Sequence, residues 1–447
     1  MRSKILLVGV VFVVAILLVY SLLRLGDRDF IAYATPEHAI LDLENTSLGT
    51  HPVSINYSDN EYSAIGAFYY ENGKFQEIGT RYANEKVATK QRPIASIAKV
   101  ITALVVQSRL SISSNNPGDI VTISGNDEND WKKAVSQNET NLPVYSGASY
   151  TYAKMLQGML TVSANNIANL LATSTFGSFA NYKKAANEYL IAHNLNATTI
   201  GDDASGFDSS TTSSLKDLVE LGKLTLEDNF LKDAVSHENI QWCASSGETN
   251  CSEYYSTNAL LGTDGFVGIK TGFTDDAGGC FLFATKRQVQ NTDVYLIGAV
   301  LGSPSVSTRF YIAKDIADSV DLQNSSDDTS FSSFSTSSWE LGKIDVLQNT
   351  AVVAKYQTVC NGEVKAVVEN PADLNSIIWS DDIKTGITYH FDALTRSTKF
   401  GDKIGTISFN KKDFPIVIQP SSSQKEAENG QSWFTKLRCK ISGHGLS

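Results

Sequence analysis

Cysteine is scarce. The 447 residues hold five, Cys243, Cys251, Cys280, Cys360 and Cys439, too few and too scattered for a disulfide scaffold and without the spacing of a zinc site. Cys243 and Cys251 bracket a short polar loop, ASSGETN, of the kind a hairpin disulfide closes outside a cell; the alternative is two free thiols. Cys280, within GGCFLFAT, reads as a small apolar residue in a buried strand. Positive charge is also in deficit. Lys and Arg number 37 against 48 Asp and Glu, a net charge of -11, and no long basic run occurs, which argues against nucleic acid or an anionic surface as the main partner. No internal repeat is evident. Of the six histidines none lies in a chemically suggestive motif, and no G-x-S-x-G elbow is present, so a Ser-His triad is not expected.

What the chain does have begins with one long apolar run. After Arg2 and Lys4, ILLVGVVFVVAILLVYSLL (Ile5 to Leu23) is long enough to cross a hydrocarbon core of about 30 Å at about 1.5 Å per residue. The alternative is a cleaved signal peptide, with Ala32-Tyr33-Ala34 resembling a cleavage site, but that lies beyond Arg24, Asp27, Arg28 and Asp29. Arg2 and Lys4 favour a cytoplasmic N-terminus, a preference that Arg24 and Arg28 weaken. Residues 1–30 are therefore expected to form a single-pass membrane anchor, with the catalytic part on the extracytoplasmic side. With 42% hydrophobic residues and a length that suggests roughly two or three domains, the rest divides into a main domain, 31–322, and a serine-rich linker, 323–338 (QNSSDDTSFSSFSTSS). A small all-β domain follows at 339–420, then a polar tail, 421–447. Within the tail, SWFTKLRCKI has the mixed apolar and basic pattern of a short surface-docking segment or of a disordered end.

Inside the main domain a strand pair is expected across SAIGAFYYENGKFQEIGTRYANE, with Glu71-Asn72-Gly73-Lys74 as its turn. In RPIASIAKVITALVVQSRL, Ile97, Val100, Ile101, Leu104 and Val105 recur at helical spacing after Pro93, so a helix starts near Ala95 or Ser96. GDIVTIS reads as a short strand. Two helical runs, through Tyr152, Met155, Leu156, Met159 and Leu160 and then Ile167, Leu170 and Leu171, meet at the corner Ser163-Ala164-Asn165. Helices are expected at 179–193, 214–226 and 306–320, and strands dominate 239–302.

Ser96 and Lys99 stand three residues apart at that first helix start, which places them on one face about 5–6 Å apart at Cβ. Free N–H groups there favour developing negative charge. A serine hydroxyl needs a base to become a nucleophile, and Lys99 can serve if burial and nearby positive charge lower its pKa. Alone, Ser-x-x-Lys is weak. It is joined, in order, by Ser163-Ala164-Asn165 and by Lys270-Thr271-Gly272 on a predicted strand, which resembles the S-x-x-K, S-D-N and K-T-G combination of penicillin-binding proteins and class A β-lactamases. PIASIAKVITA, GMLTVSANNIANLLA, DASGFDSSTTSSLKDL, GIKTGFTDDAGGC and GDKIGT follow in the same sequence. Over roughly residues 60–420 the chain resembles the serine-type D-alanyl-D-alanine carboxypeptidases, the low-molecular-weight penicillin-binding proteins.

That resemblance implies an α+β domain, an antiparallel sheet flanked by helices with a helical lobe and the site between them. It implies that Ser96 attacks the carbonyl between two D-alanines of a peptidoglycan stem peptide, that Lys99 takes its proton and that an acyl-enzyme forms. Backbone N–H groups of Ser96 and Phe273 would make the oxyanion hole. Ser163 and Lys270 would relay the proton to the leaving amine, and Asn165 would hydrogen-bond the substrate. Lys270, Thr271, Gly272 and Phe273 would line the binding side, with Thr271 and Arg309 holding the terminal carboxylate. β-Lactams would act as covalent inhibitors, and no metal or organic cofactor is implied. The sequence departs from the commonest pattern at Ala164, often glycine, and Asn166, often Asp, which puts detailed rate and specificity in question. A second Lys-Thr-Gly at Lys384-Thr385-Gly386 lacks the following block and reads as a chance turn. Two rivals are a β-lactamase-like hydrolase and a non-catalytic tethered scaffold. The first would need a Glu with Asn four residues on, which none of Glu188, Glu220, Glu227, Glu238, Glu248 or Glu253 has. The second is disfavoured by three intact motifs.

Overall fold

The computed structural model describes residues 33–36 and 61–322, except 72, 245–250 and 290–291, and then 340–344, 352–358, 362–369, 376–379, 388–392, 398–409 and 412–420. The chain forms two compact units, one spanning Pro52–Asn324 and the other joining the N-terminal stretch to the residues after Ser325.

The first unit is built on a five-stranded antiparallel sheet in the order Phe266–Thr274, Gly278–Val289, Thr292–Ser303, Ser63–Glu71, Lys74–Tyr82. The expected hairpin closes where Glu71 faces Lys74. Neighbouring residues of a strand point to opposite faces, and this locates two helices. Leu282 and Ile297 meet Gly222 of the helix Leu215–Glu227, whereas the ring of Phe281 lies edge-on to Phe310 of the helix Thr308–Ser319, centroids 5.2 Å apart. The sheet is therefore covered on both faces, and its three central strands read as nearly continuous apolar runs for that reason.

Five further helices make the lobe: Ala98–Leu110, Gly125–Ser136, Tyr152–Val162, Asn165–Phe176 and Phe179–Ala192. Ala98–Leu110 is buried at every position from Ala98 to Val106, as an all-round apolar helix must be. Gly125–Ser136 was not expected from periodicity, because Ala134 alone is buried. Its signal is the capping box: the Ser124 hydroxyl accepts from Asp127 N–H while Asp127 accepts from Ser124 N–H, satisfying two otherwise unpaired groups at once. Cys243 and Cys251 face each other across the pair Asn239–Cys243 and Cys251–Tyr255 and form a disulfide. Cys280 is a buried free thiol.

The second unit contains a six-stranded antiparallel sheet, ordered Tyr33–Pro36, Val352–Thr358, Gly362–Val368, Lys412–Pro420, Lys403–Phe409, Thr388–Phe391. Ala366 pairs with Ile418 and Val368 with Ile416, all buried. Glu340–Ile344 pairs with Ser376–Trp379. Tyr33–Pro36, assigned above by sequence order to the peptidase domain, instead pairs with Val352–Thr358; such a pairing joins residues over three hundred positions apart, and nothing local in a four-residue stretch encodes it. Among the described residues no helix is long and apolar enough to cross a membrane. The run Ile5–Leu23, the serine-rich linker, Lys384-Thr385-Gly386 and the tail 421–447 lie outside the described residues.

Candidate active site

The site starts from a strained turn. The two-residue strand Arg92–Pro93 pairs with Thr212–Ser213, then a 3-10 turn, Ala95–Ile97, runs into the helix Ala98–Leu110. Ala95 holds a positive φ of 47°, a conformation that a residue with a Cβ adopts only when its surroundings impose it. Two glycines do the imposing. A Cβ on Gly206, itself at φ +73°, would sit 2.0 Å from the Ala95 carbonyl oxygen, and one on Gly272 would sit 2.9 Å from the Ser96 nitrogen. The loop and the edge strand thus close on the nucleophile's backbone from two sides, at distances that only glycine permits.

Lys99 is fully buried. Its Nζ lies 2.8 Å from Ser96 Oγ, 2.7 Å from Asn165 Oδ1 and 2.9 Å from the Ser205 carbonyl oxygen. Burial pushes its pKa down to about 7, against the raising effect of the Asp203 and Glu139 carboxylates. A neutral amine has two N–H bonds and one lone pair. Asn165 Oδ1 and Ser205 O can only accept, so they take both hydrogens and leave the lone pair directed at the Ser96 hydroxyl. This is the arrangement a general base requires, with reacting atoms already at hydrogen-bond distance.

Each partner of Lys99 is itself held. Asn165 Nδ2 donates to Glu139 Oε2 at 2.7 Å, and Asn165 N–H donates to Thr140 O at 2.8 Å. Asn166, the position where the family often carries Asp, donates through Nδ2 to Leu142 O at 2.8 Å and accepts from Leu142 N–H at 3.1 Å. An aspartate could accept but not donate there, so the amide side chain pairs with the backbone as a neighbouring strand would. Ser205 is set by the Asp203 carboxylate, which accepts from the N–H groups of Ser205, Gly206 and Asp208. Ser163 is buried and left-handed at φ 70°, capping Tyr152–Val162; no hydrogen bond joins its side chain to Ser96, Lys99 or Lys270.

The edge strand forms the other wall. Lys270 is buried and donates to Thr271 O at 3.0 Å. Burial first, then the positive charges of Lys99 and Arg309, hold its pKa well below the usual lysine value. Thr271 Oγ1 lies 2.6 Å from Thr257 Oγ1. Arg309, 4% exposed, donates through Nη1 to Gly272 O at 2.6 Å; burial draws it down to about 10, which leaves it charged at neutral pH. Among the described residues its Nε has no partner. Phe273, beside Gly272, is exposed, as is Phe207 beside Gly206.

Direct bonds thus join Ser96, Lys99 and Asn165, while Lys270 and Gly272 lie on the strand Phe266–Thr274, which Arg309 reaches from the helix Thr308–Ser319. Sequence reasoning missed Glu139, Asp203 and Ser205. The block DASGFD contained two of these, and its acid followed by a small-residue pair was the available signal; Glu139 had none. Among the described residues no group of His, Cys, Asp and Glu is placed to hold a metal ion.

The chain is similar to several known proteins. A D-alanyl-D-alanine carboxypeptidase of a Streptomyces strain is 25% identical over 260 residues, 55% of this chain and 83% of that protein. One from Mycobacterium tuberculosis is 30% identical over 199 residues, 44% of this chain and 62% of that protein. The crystal structure of a Streptomyces DD-transpeptidase, 23% identical, covers 57% of this chain and 96% of its own with a TM-score of 0.48. The profile of the D-alanyl-D-alanine carboxypeptidase family (peptidase S11) matches residues 80–305, half of the chain, and the chain belongs to that family.

Proposed function

We propose that this D-alanyl-D-alanine carboxypeptidase acts through an acyl-enzyme on Ser96, with neutral Lys99 as the base. One observation supports the reading above the rest: a fully buried amine, poised near pH 7, has both hydrogens engaged by carbonyl acceptors and its third partner is the Ser96 hydroxyl. Ser96 Oγ bonds to the carbonyl carbon of the penultimate D-alanine as its proton passes to Lys99. The oxyanion is held by the N–H groups of Ser96 and Phe273. The C–N bond then breaks, a proton reaches the departing amine by way of Ser163 and Lys270, and free D-alanine leaves. Water cleaves the ester and returns the proton to Ser96. Arg309, charged at neutral pH, holds the substrate carboxylate together with Thr271. The substrate is the stem pentapeptide of peptidoglycan, and β-lactams acylate Ser96 as substrate mimics.

Ile5–Leu23 anchors the chain in the cell membrane with both units on the outer side, where the Cys243–Cys251 bridge is at home. The all-β region after the linker serves as a spacer or contact module. The test is labelling with a fluorescent penicillin followed by peptide mapping. Label on Ser96, lost in Ser96→Ala, and release of D-alanine from diacetyl-Lys-D-Ala-D-Ala support the reading; a folded protein that never acylates overturns it.

A further inference from the structure

Glu139 lies outside the three motifs and touches neither Ser96 nor Lys99, yet it is the third link of the chain Ser96–Lys99–Asn165–Glu139. It sits in the loop after the helix Gly125–Ser136, and that loop is tied down at every step. Glu139 N–H donates to Ala134 O, the Glu139 carbonyl accepts from Asn141 Nδ2 at 2.8 Å, Asn141 Oδ1 accepts from Trp131 Nε1, and Thr140 O accepts from Asn165 N–H. Asn166 clasps Leu142 at its N–H and its C=O. The carboxylate is thus delivered to Asn165 Nδ2, 2.7 Å away, by a segment with little freedom to withdraw.

The consequence lies in the two ends of the Asn165 amide. One accepts, the other donates, and the side chain fits its space either way round. With Oδ1 toward Lys99, the amine gives up a hydrogen and keeps its lone pair for Ser96. With Nδ2 toward Lys99, the amide N–H competes for that same lone pair, and the base is blocked. An ionised carboxylate can only accept, so it selects the first orientation. We propose that Glu139 is a positioning residue for the general base: by fixing the Asn165 amide it keeps the Lys99 lone pair free for the Ser96 proton. This rests on the acyl-enzyme reading above and adds a residue to it.

Glu139 also adds negative charge near Lys99. The charged groups acting on that amine are Asp203 from the loop beside the helix, Glu139 from the loop beyond Asn165, and Lys270 from the edge strand. The carboxylates favour the ammonium form. Lys99 works deprotonated, so removing Glu139 moves the acid limb of the rate profile to lower pH and by itself increases the active fraction near neutrality. Loss of positioning acts the other way, on the plateau. The two effects have opposite signs and are read separately.

The test compares the full chain with Glu139→Gln and Glu139→Asp, following the second-order rate of Ser96 acylation by a fluorescent penicillin from pH 5 to 9.5, with thermal melting as a check on folding. In Glu139→Gln the plateau is expected to fall about tenfold to a hundredfold while the acid limb shifts to lower pH. Glu139→Asp, which keeps the charge and the acceptor, is expected to hold the limb and recover part of the plateau. A Gln variant with the wild-type plateau and limb overturns the proposal. So do Gln and Asp variants that fall equally with the limb unmoved, the pattern of a structural role alone. Wild-type protein that forms no acyl-enzyme overturns the functional reading itself, and the role of Glu139 with it.

Discussion

The helical wall and the strand wall of the site are both buried and both carry a lysine, yet they are finished to different degrees. On the helical side Lys99 has three partners within 2.9 Å, and those partners are fixed in turn by Glu139 and the Asp203 loop. On the strand side Lys270 makes a single hydrogen bond to the adjacent carbonyl, and Arg309 keeps one buried N–H unused. A buried donor left unmet costs about 1–3 kcal/mol, so the strand wall is the less satisfied of the two. The helical wall is complete before any ligand comes. In the proposed mechanism one side moves a proton and the other receives the substrate carboxylate.

That division can be broken by substitution. Lys99→Arg replaces the neutral base with a permanently charged group, and acylation of Ser96 should drop by about 10²–10⁴-fold with the penicillin affinity little changed, as burst kinetics would resolve. Arg309→Ala should do the reverse. Losing a buried partner for the substrate carboxylate is expected to raise KM for the peptide by about 10–100-fold while kcat changes less. A variant on the strand side that depresses kcat alone would erase the distinction. The smallest effect sharpens it without mutation. Because Lys99 titrates near 7 and acts deprotonated, the acylation rate should climb about tenfold per pH unit below that point and flatten above it; a profile level from pH 5 to 8 would place the base elsewhere.

The strand wall was more legible than the helical wall. Lys270-Thr271-Gly272 sits in a continuous apolar strand and announces itself, and Arg309 was indicated by the resemblance to the family, at the position that VLGSPSVSTRF matches. On the helical side Ser96 and Lys99 are legible through an i, i+3 spacing, but their support comes from loops with no shared pattern. The helix Gly125–Ser136, which delivers Glu139, escaped because its faces are nearly all polar, and a capping box was its single mark. Tyr33–Pro36 was assigned by position along the chain to the peptidase domain, whereas it pairs with Val352–Thr358 inside its own unit.

Local physics is what a one-dimensional string can hold: the helix start that exposes Ser96, the period that puts Lys99 on its face, the apolar runs that make strands of 266–303, and glycines where backbones must touch. The sequence by itself therefore determined the class of fold and pointed to the residues that the proposed mechanism uses as nucleophile and base, Ser96 and Lys99. Which end of Asn165 meets Lys99, that Glu139 chooses it, and that Ser205 offers its carbonyl were decided only in three dimensions. Hydrogen bonds between residues 66 and 106 positions apart depend on how separate elements pack, and no short-range preference specifies them.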